Sequence, residues 1–135
     1  MKVPELLPAI PGKNTMSLRI GSFFAAKNTD AKRLACPPVL SNGTTLVPLR
    51  DVVEYLGGTI DWDGDTQRVV ISYNRNRISM TIGSKLAFVN GITSVLTAAP
   101  QLIDGVTMIP LRSVAQALKC TVDWIGDTQN IYIYY

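Results

Sequence analysis

Val47-Pro48-Leu49-Arg50-Asp51-Val52-Val53-Glu54-Tyr55-Leu56-Gly57-Gly58 is the stretch from which the rest of this chain can be read. Its apolar side chains Leu49, Val52, Val53 and Leu56 fall at i, i+3, i+4 and i+7, one face of a helix. Pro48 stands at the start, where a missing N–H costs nothing. Gly57-Gly58 supplies the stop. Sixty-two residues on, Ile109-Pro110-Leu111-Arg112 repeats the start, and Leu111, Val114, Ala115 and Leu118 repeat the apolar face. The second helix ends on Lys119-Cys120 without a glycine.

The same offset of 62 extends outward without a gap. Ile20-Gly21-Ser22 matches Ile82-Gly83-Ser84, Asp61-Trp62 matches Asp123-Trp124, and Gly64-Asp65-Thr66-Gln67 matches Gly126-Asp127-Thr128-Gln129. Residues 20–73 and 82–135 share 24 identities in 54 pairs, against about three expected by chance from ordinary composition. The chain is an internal duplication. Residues 16–73 form the first unit, 74–77 a connecting turn and 78–135 the second unit. Each unit is near the lower size limit for a domain that folds alone, so the two are expected to share an interface.

Before each helix the pattern is that of strands. Residues 78–82 alternate, 86–89 read as a second strand, Asn90-Gly91 is a hairpin signal and 92–97 return. Asn42-Gly43 and Asp104-Gly105 mark further turns, the latter followed by a short strand over 107–109. After each helix a hairpin closes the unit: 59–62 with 69–73, and 121–124 with 131–135. The expected fold class is α+β, two tandem repeats, each a small antiparallel sheet curled around one short helix. Residues 1–15, with Pro4, Pro8, Pro11 and Gly12, lie outside the repeat and read as a linker or arm. The apolar residues Leu6, Leu7, Ala9 and Ile10 suit that arm to a neighbouring chain's sheet edge, a route to filaments.

Composition narrows the chemistry. The 135 residues include no histidine, which removes Ser-His-Asp and Cys-His nucleophile pairs and every His-ligated metal site. Cys36 and Cys120 are too few for structural zinc and allow at most one disulfide. No stretch approaches the roughly 18–20 apolar residues of a membrane span, and the opening residues lack the apolar run of a signal peptide. Net charge is +3 from 13 basic and 10 acidic residues, scattered rather than clustered, which argues against nucleic acid as a partner. No cofactor is expected.

Val47-Pro48-Leu49-Arg50, Leu56-Gly57-Gly58, Ile60-Asp61-Trp62-Asp63 and Asn90-Gly91 together resemble the copper amine oxidase N-terminal-like domain, the stalk domain family of bacterial surface proteins. The likeness covers about residues 16–135, and the second copy departs from it at Lys119-Cys120 and at Ile125. It implies a small antiparallel sheet curled around a helix, exported in Gram-positive bacteria and often joined to other envelope modules. It implies neither copper nor oxidase chemistry. Those reside in a different domain that uses three histidines and a modified tyrosine following an Asn, and no tyrosine here follows an Asn.

Candidate sites are each weighed against a structural role. Arg50 and Arg112 lie in the first turn of their helices, where a cation opposes the helix dipole. Ion pairs to Asp61 or Asp65, and to Asp123 or Asp127, would compensate, and that reading is favoured over anion binding. Trp62 and Trp124 share strand faces with Ile60 and Val122, which favours core packing over sugar stacking. Tyr132 and Tyr134 alternate away from Ile131 and Ile133 and are expected on an outer face. They form a contact surface between units or chains, with ligand stacking close behind. Asp61, Asp63 and Asp65 have the spacing but not the glycine or the glutamate of a calcium loop, so a solvated turn is favoured. The expected function is a non-catalytic structural or interaction module on the outside of a bacterial cell, acting as a rigid spacer or self-assembling subunit. The alternative is a module that binds carbohydrate or cell-wall polymer.

Overall fold

Asn-Gly and Asp-Gly pairs fold the chain back on itself where the sequence places them. In a computed structural model, which describes residues 14–28, 30–125 and 129–135, Asn42-Gly43 joins β4 (Val39–Ser41) to β5 (Thr44–Pro48). Asn90-Gly91 joins β9 (Leu86–Val89) to β10 (Ile92–Val95), and Asp104-Gly105 joins β11 (Gln101–Ile103) to β12 (Val106–Pro110). In each pair both residues have φ between 48° and 84°, the left-handed conformation that a tight hairpin needs and that Asn, Asp and Gly tolerate. Asn74-Arg75 makes the same kind of turn without a glycine, at φ 49° and 68°, between β7 (Arg68–Tyr73) and β8 (Asn76–Thr81). The remaining elements are β1 (Thr15–Arg19), β2 (Phe24–Lys27), β3 (Asp30–Arg33), α1 (Leu49–Leu56), β6 (Thr59–Asp63), α2 (Leu111–Ala117), β13 (Thr121–Ile125) and β14 (Asn130–Tyr134).

The α+β class holds: antiparallel sheets with two short helices. The expectation that each repeat builds its own sheet needs correction. The strands form three sheets, ordered β13-β14-β1-β2-β3, β6-β7-β8-β9-β10 and β11-β12-β5-β4. Each five-stranded sheet joins the closing hairpin of one sequence half to the opening three strands of the other. The residue 74–77 connection is therefore a turn inside a sheet rather than a boundary, and β8 already begins at Asn76. The pairing Ser72↔Arg77 across that turn has its counterpart in Thr15↔Tyr134, 62 residues displaced, where no turn links the strands. The middle sheet is symmetric about one pair, Val47↔Ile109, flanked by Met108↔Pro48 and Pro110↔Leu46. Val47 and Ile109 are each other's counterparts at the same offset.

Both helices press their expected faces into one shared core. Leu49, Val52, Val53 and Leu56 are buried on α1, and Leu111, Val114, Ala115 and Leu118 at α2, joined by Ala117. These pack with Met16, Leu18, Ile71, Ile78, Ile131 and Ile133 from the two large sheets. The helix ends are alike despite the missing glycine. Gly57 at φ 91° and Lys119 at φ 61° both turn left-handed. In both, the next N–H reaches back five residues, Gly58 to Val53 O at 2.9 Å and Cys120 to Ala115 O at 2.8 Å. A smaller cluster of Cys36, Leu46 and Met108 lies on the middle sheet. Cys36 and Cys120 are both buried, in separate clusters, and are not joined in a disulfide. The apolar arm of residues 1–15 falls outside the described residues, except that Thr15 belongs to β1 and Asn14 exchanges two backbone hydrogen bonds with Tyr135, at 2.7 and 3.0 Å.

Leu118 is 1% exposed at the junction of α2 with the shared core. Leu118→Ala should cost about 2–5 kcal/mol, read as a lowered urea midpoint at unchanged m-value. An unmoved midpoint would place this helix face elsewhere.

Candidate functional site

The first turn of each helix is tied to the body of the protein by a residue that the sequence comparison passed over. Asp51 accepts a hydrogen bond from the Ala35 N–H at 2.8 Å and pairs with Lys32 at 3.5 Å. At the matching position Ser113 accepts from the Thr97 N–H at 3.0 Å, and its hydroxyl lies 3.2 Å from that of Thr97. Asp51 and Ser113 differ in identity, so a search for identical positions misses them. Both belong to the small polar class that satisfies backbone groups near helix starts.

The tie expected for Arg50 is not the one found. Arg50 pairs with Glu54 one turn along its own helix, at 3.1 Å and well exposed, rather than with Asp61 or Asp65. The i, i+4 spacing makes this the shorter reach, and an exposed pair of this kind contributes little. Asp61 and Asp65 are exposed; Asp63 instead accepts from the Asp65 N–H at 3.0 Å and so closes its own turn. Arg112 has no ion-pair partner among the described residues. Asp123 lies beside the Tyr134 hydroxyl, and Asp127 is outside the described residues. Among the described residues no group of three or more Cys, Asp or Glu could hold a metal ion.

Two aromatic expectations also change. Tyr132 and Tyr134 do alternate away from Ile131 and Ile133, but they are 1% and 4% exposed. Strand β14 lies inside its sheet, with Ser17 and Asp123 flanking Tyr132 and with Thr15 and Thr121 flanking Tyr134. They are buried rather than exposed on an outer face, in a strand that pairs with β1 of the other sequence half. Trp62 is the converse. It lies two residues beyond Ile60 on the edge strand β6 and is 47% exposed. Trp124 is half-buried and packs on the core as expected.

Trp62 bounds a groove of about 340 Å³ lined by Ala35, Pro48, Arg50, Asp51, Ile60 and, from the other sequence half, Gly105, Val106 and Thr107. Trp124 bounds a second, of about 260 Å³, lined by Thr97 and Arg112 and, from the other half, Leu40, Gly43, Thr44 and Thr45. The two correspond at the offset of 62: Trp62 with Trp124, Arg50 with Arg112, Ala35 with Thr97, and Gly105-Val106-Thr107 with Gly43-Thr44-Thr45. Each sets a tryptophan and an arginine of one half against the hairpin of the other. That placement follows from the symmetric β5–β12 pairing.

A tyrosine cluster lies where the start of β1 meets the end of β14. The Tyr135 hydroxyl donates to Tyr55 O at 3.3 Å, and the Tyr73 and Tyr135 rings meet edge-on with centroids 6.5 Å apart. Lys27 lies over both Tyr55 and Tyr135, at 5.8 and 6.0 Å. Burial, and then the nearby Tyr73, Tyr55 and Cys120, push Tyr135 up to about 12. Burial raises Tyr55, Tyr73 and Tyr134 as well.

Fold and site together define a sheet-rich module without the histidine ligands of an oxidase centre. Residues 26–133 match the family model of the copper amine oxidase N-terminal domain, and the chain belongs to that family. This domain is the non-catalytic part of those enzymes. The chain is also similar to a protein named protease inhibitor from Brevibacillus choshinensis. The two are 28% identical over 88 residues, which cover 65% of this chain and 27% of that protein. The chain thus spans about a quarter of the length of that relative. No helix among the described residues is long and apolar enough to cross a membrane.

Tyr135 gives this region a pH signature. In the unfolded chain its hydroxyl ionises near pH 10, whereas in the fold it holds its proton to about 12. Stability should be intact below pH 10 and fall between pH 10 and 12, as the unfolded state releases protons that the fold retains. Denaturant midpoints at pH 8 and pH 11 should differ less for Tyr135→Phe than for the parent chain. Equal differences would remove Tyr135 from the account.

Proposed function

We propose that this chain is a non-catalytic interaction module of a protein displayed on the outside of a bacterial cell, associating with copies of itself. Membership of a non-catalytic domain family supports the first half of this reading. The observation that carries the second is an uncovered apolar face. On the outer side of the sheet containing β8, Leu86, Phe88 and Val95 are 51%, 39% and 77% exposed, aligned by the Val95↔Leu86 pairing at the sheet edge. At the matching positions on the other large sheet, Ala26 is 3% exposed and Phe24 is half-buried, with the Arg33 guanidinium 5.8 Å from its ring centre. One of two alike surfaces is closed and the other open, and an open apolar face beside an edge strand favours association.

The geometry favours an interaction role over that of a spacer. Asn14 and Tyr135 are hydrogen-bonded neighbours, so the folded body adds almost nothing to the reach of a longer chain running through it. It would stand beside such a chain as a lobe. Antiparallel strands pulled from neighbouring ends also open one bond at a time.

Sedimentation of the full chain from micromolar to millimolar concentration should show reversible association, abolished by Phe88→Lys together with Val95→Lys. Monomer at every concentration would contradict the self-association, and association unchanged in the double variant would move it to another surface.

A further inference from the structure

We propose that the paired tryptophan–arginine grooves bind acidic saccharides, sugar rings carrying a carboxylate or phosphate, and that the groove of Trp124 and Arg112 binds them more tightly. This goes beyond the self-association above and involves neither Phe88 nor Val95.

Three groups in the second groove each ask for a different part of such a ligand. The Trp124 indole offers an apolar platform at the groove wall, suited to the C–H face of a sugar ring. The Arg112 guanidinium has no ion-pair partner among the described residues, and its planar fork matches a carboxylate or a phosphate. Thr45 lines the same groove, is 5% exposed, and its hydroxyl has no hydrogen-bond partner. Buried hydroxyls are seldom left unpaired, and this one, closed to solvent, would gain a partner in a sugar hydroxyl only where the groove wall gives way on binding. A site with a few placed polar groups on an apolar wall is the ordinary form of a small-ligand pocket.

The first groove has the same plan with its charge compensated. Arg50 is paired with Glu54 at 3.1 Å, and Asp51 adds a second carboxylate nearby. At the matching positions the second half carries Gln116 and Ser113. The two halves therefore share both tryptophans and both arginines but differ at two carboxylates beside the arginine, Glu54 paired with Arg50 and Asp51 paired with Lys32. An anionic ligand is the chemistry that this difference discriminates for, since a neutral sugar would gain nothing from it.

The test uses the full chain labelled with ¹⁵N, whose two indole N–H signals report the two grooves separately. The probes are trigalacturonate for the carboxylate, glucose 1-phosphate for the phosphate, maltotriose as the neutral sugar and inorganic phosphate as the bare anion, at constant ionic strength. The Trp124 signal should move saturably with at least one acidic sugar, at a lower concentration than the Trp62 signal. Arg112→Gln should weaken that binding at least tenfold, and Thr45→Val should weaken it without unfolding the chain. Glu54→Gln should strengthen binding at Trp62 by freeing Arg50. Equal response to maltotriose, an equal response to inorganic phosphate alone, unchanged binding in Arg112→Gln, or a static Trp124 signal at millimolar probe would each overturn the proposal.

Discussion

The pairing of β5 with β12 about Val47 and Ile109 is the contact on which the rest of this molecule depends. A unit of this size has too much surface for its volume to hold a core alone. The two halves meet that shortage by exchange rather than by leaning on one another. Each lends its closing hairpin to the other's opening strands, so that every strand of a five-stranded sheet except the two at its edges has partners on both sides. Both helices then press on a single core drawn from both halves. Removing either half would expose the inner face of both large sheets as well as the open edge of β5 or β12.

The grooves are a consequence of the same exchange. A tryptophan and an arginine at the closing hairpin and helix start of one half face the β4–β5 or β11–β12 hairpin of the other, because those hairpins flank the symmetric pair. Symmetry supplies two copies of the geometry, and sequence divergence has then made them electrically different. The outer faces of the two large sheets have diverged in the same manner, one with Ala26 buried and Phe24 beneath Arg33, the other open at Leu86, Phe88 and Val95. Duplication in this chain has preserved the frame at the turns and helix faces and let the surfaces take separate roles.

Much of the frame was legible in the sequence because it is local. Asn-Gly and Asp-Gly pairs need positive φ and so mark hairpins directly, and the i, i+3, i+4, i+7 pattern marks a helix face whatever lies opposite it. Strand partners are another matter. The alternation in β14 is the same whether β14 pairs within its own repeat or with β1, so the exchange between halves leaves no trace in either pattern. Alternation likewise says which way Tyr132 and Trp62 point and nothing of what covers them. Tyr132 is buried on a strand between two others, Phe88 is open on a strand placed the same way, and Trp62 is open on an edge strand. The partner expected for Arg50 failed for a different reason. Glu54 is one turn from Arg50 and nearer than any residue of the hairpin, while the contact that does tie each helix start down is made by Asp51 and Ser113. Their different side chains hide a shared task.

The exchange of strands is tested most directly by whether the halves fold apart. Residues 14–75 and 76–135, produced as separate chains, should each show no cooperative unfolding as a monomer. Mixed in equal amounts, they should form a one-to-one complex whose urea denaturation is a single cooperative transition. A monomeric half that unfolds cooperatively by itself, with a dispersed amide spectrum, would contradict the exchange of strands between halves.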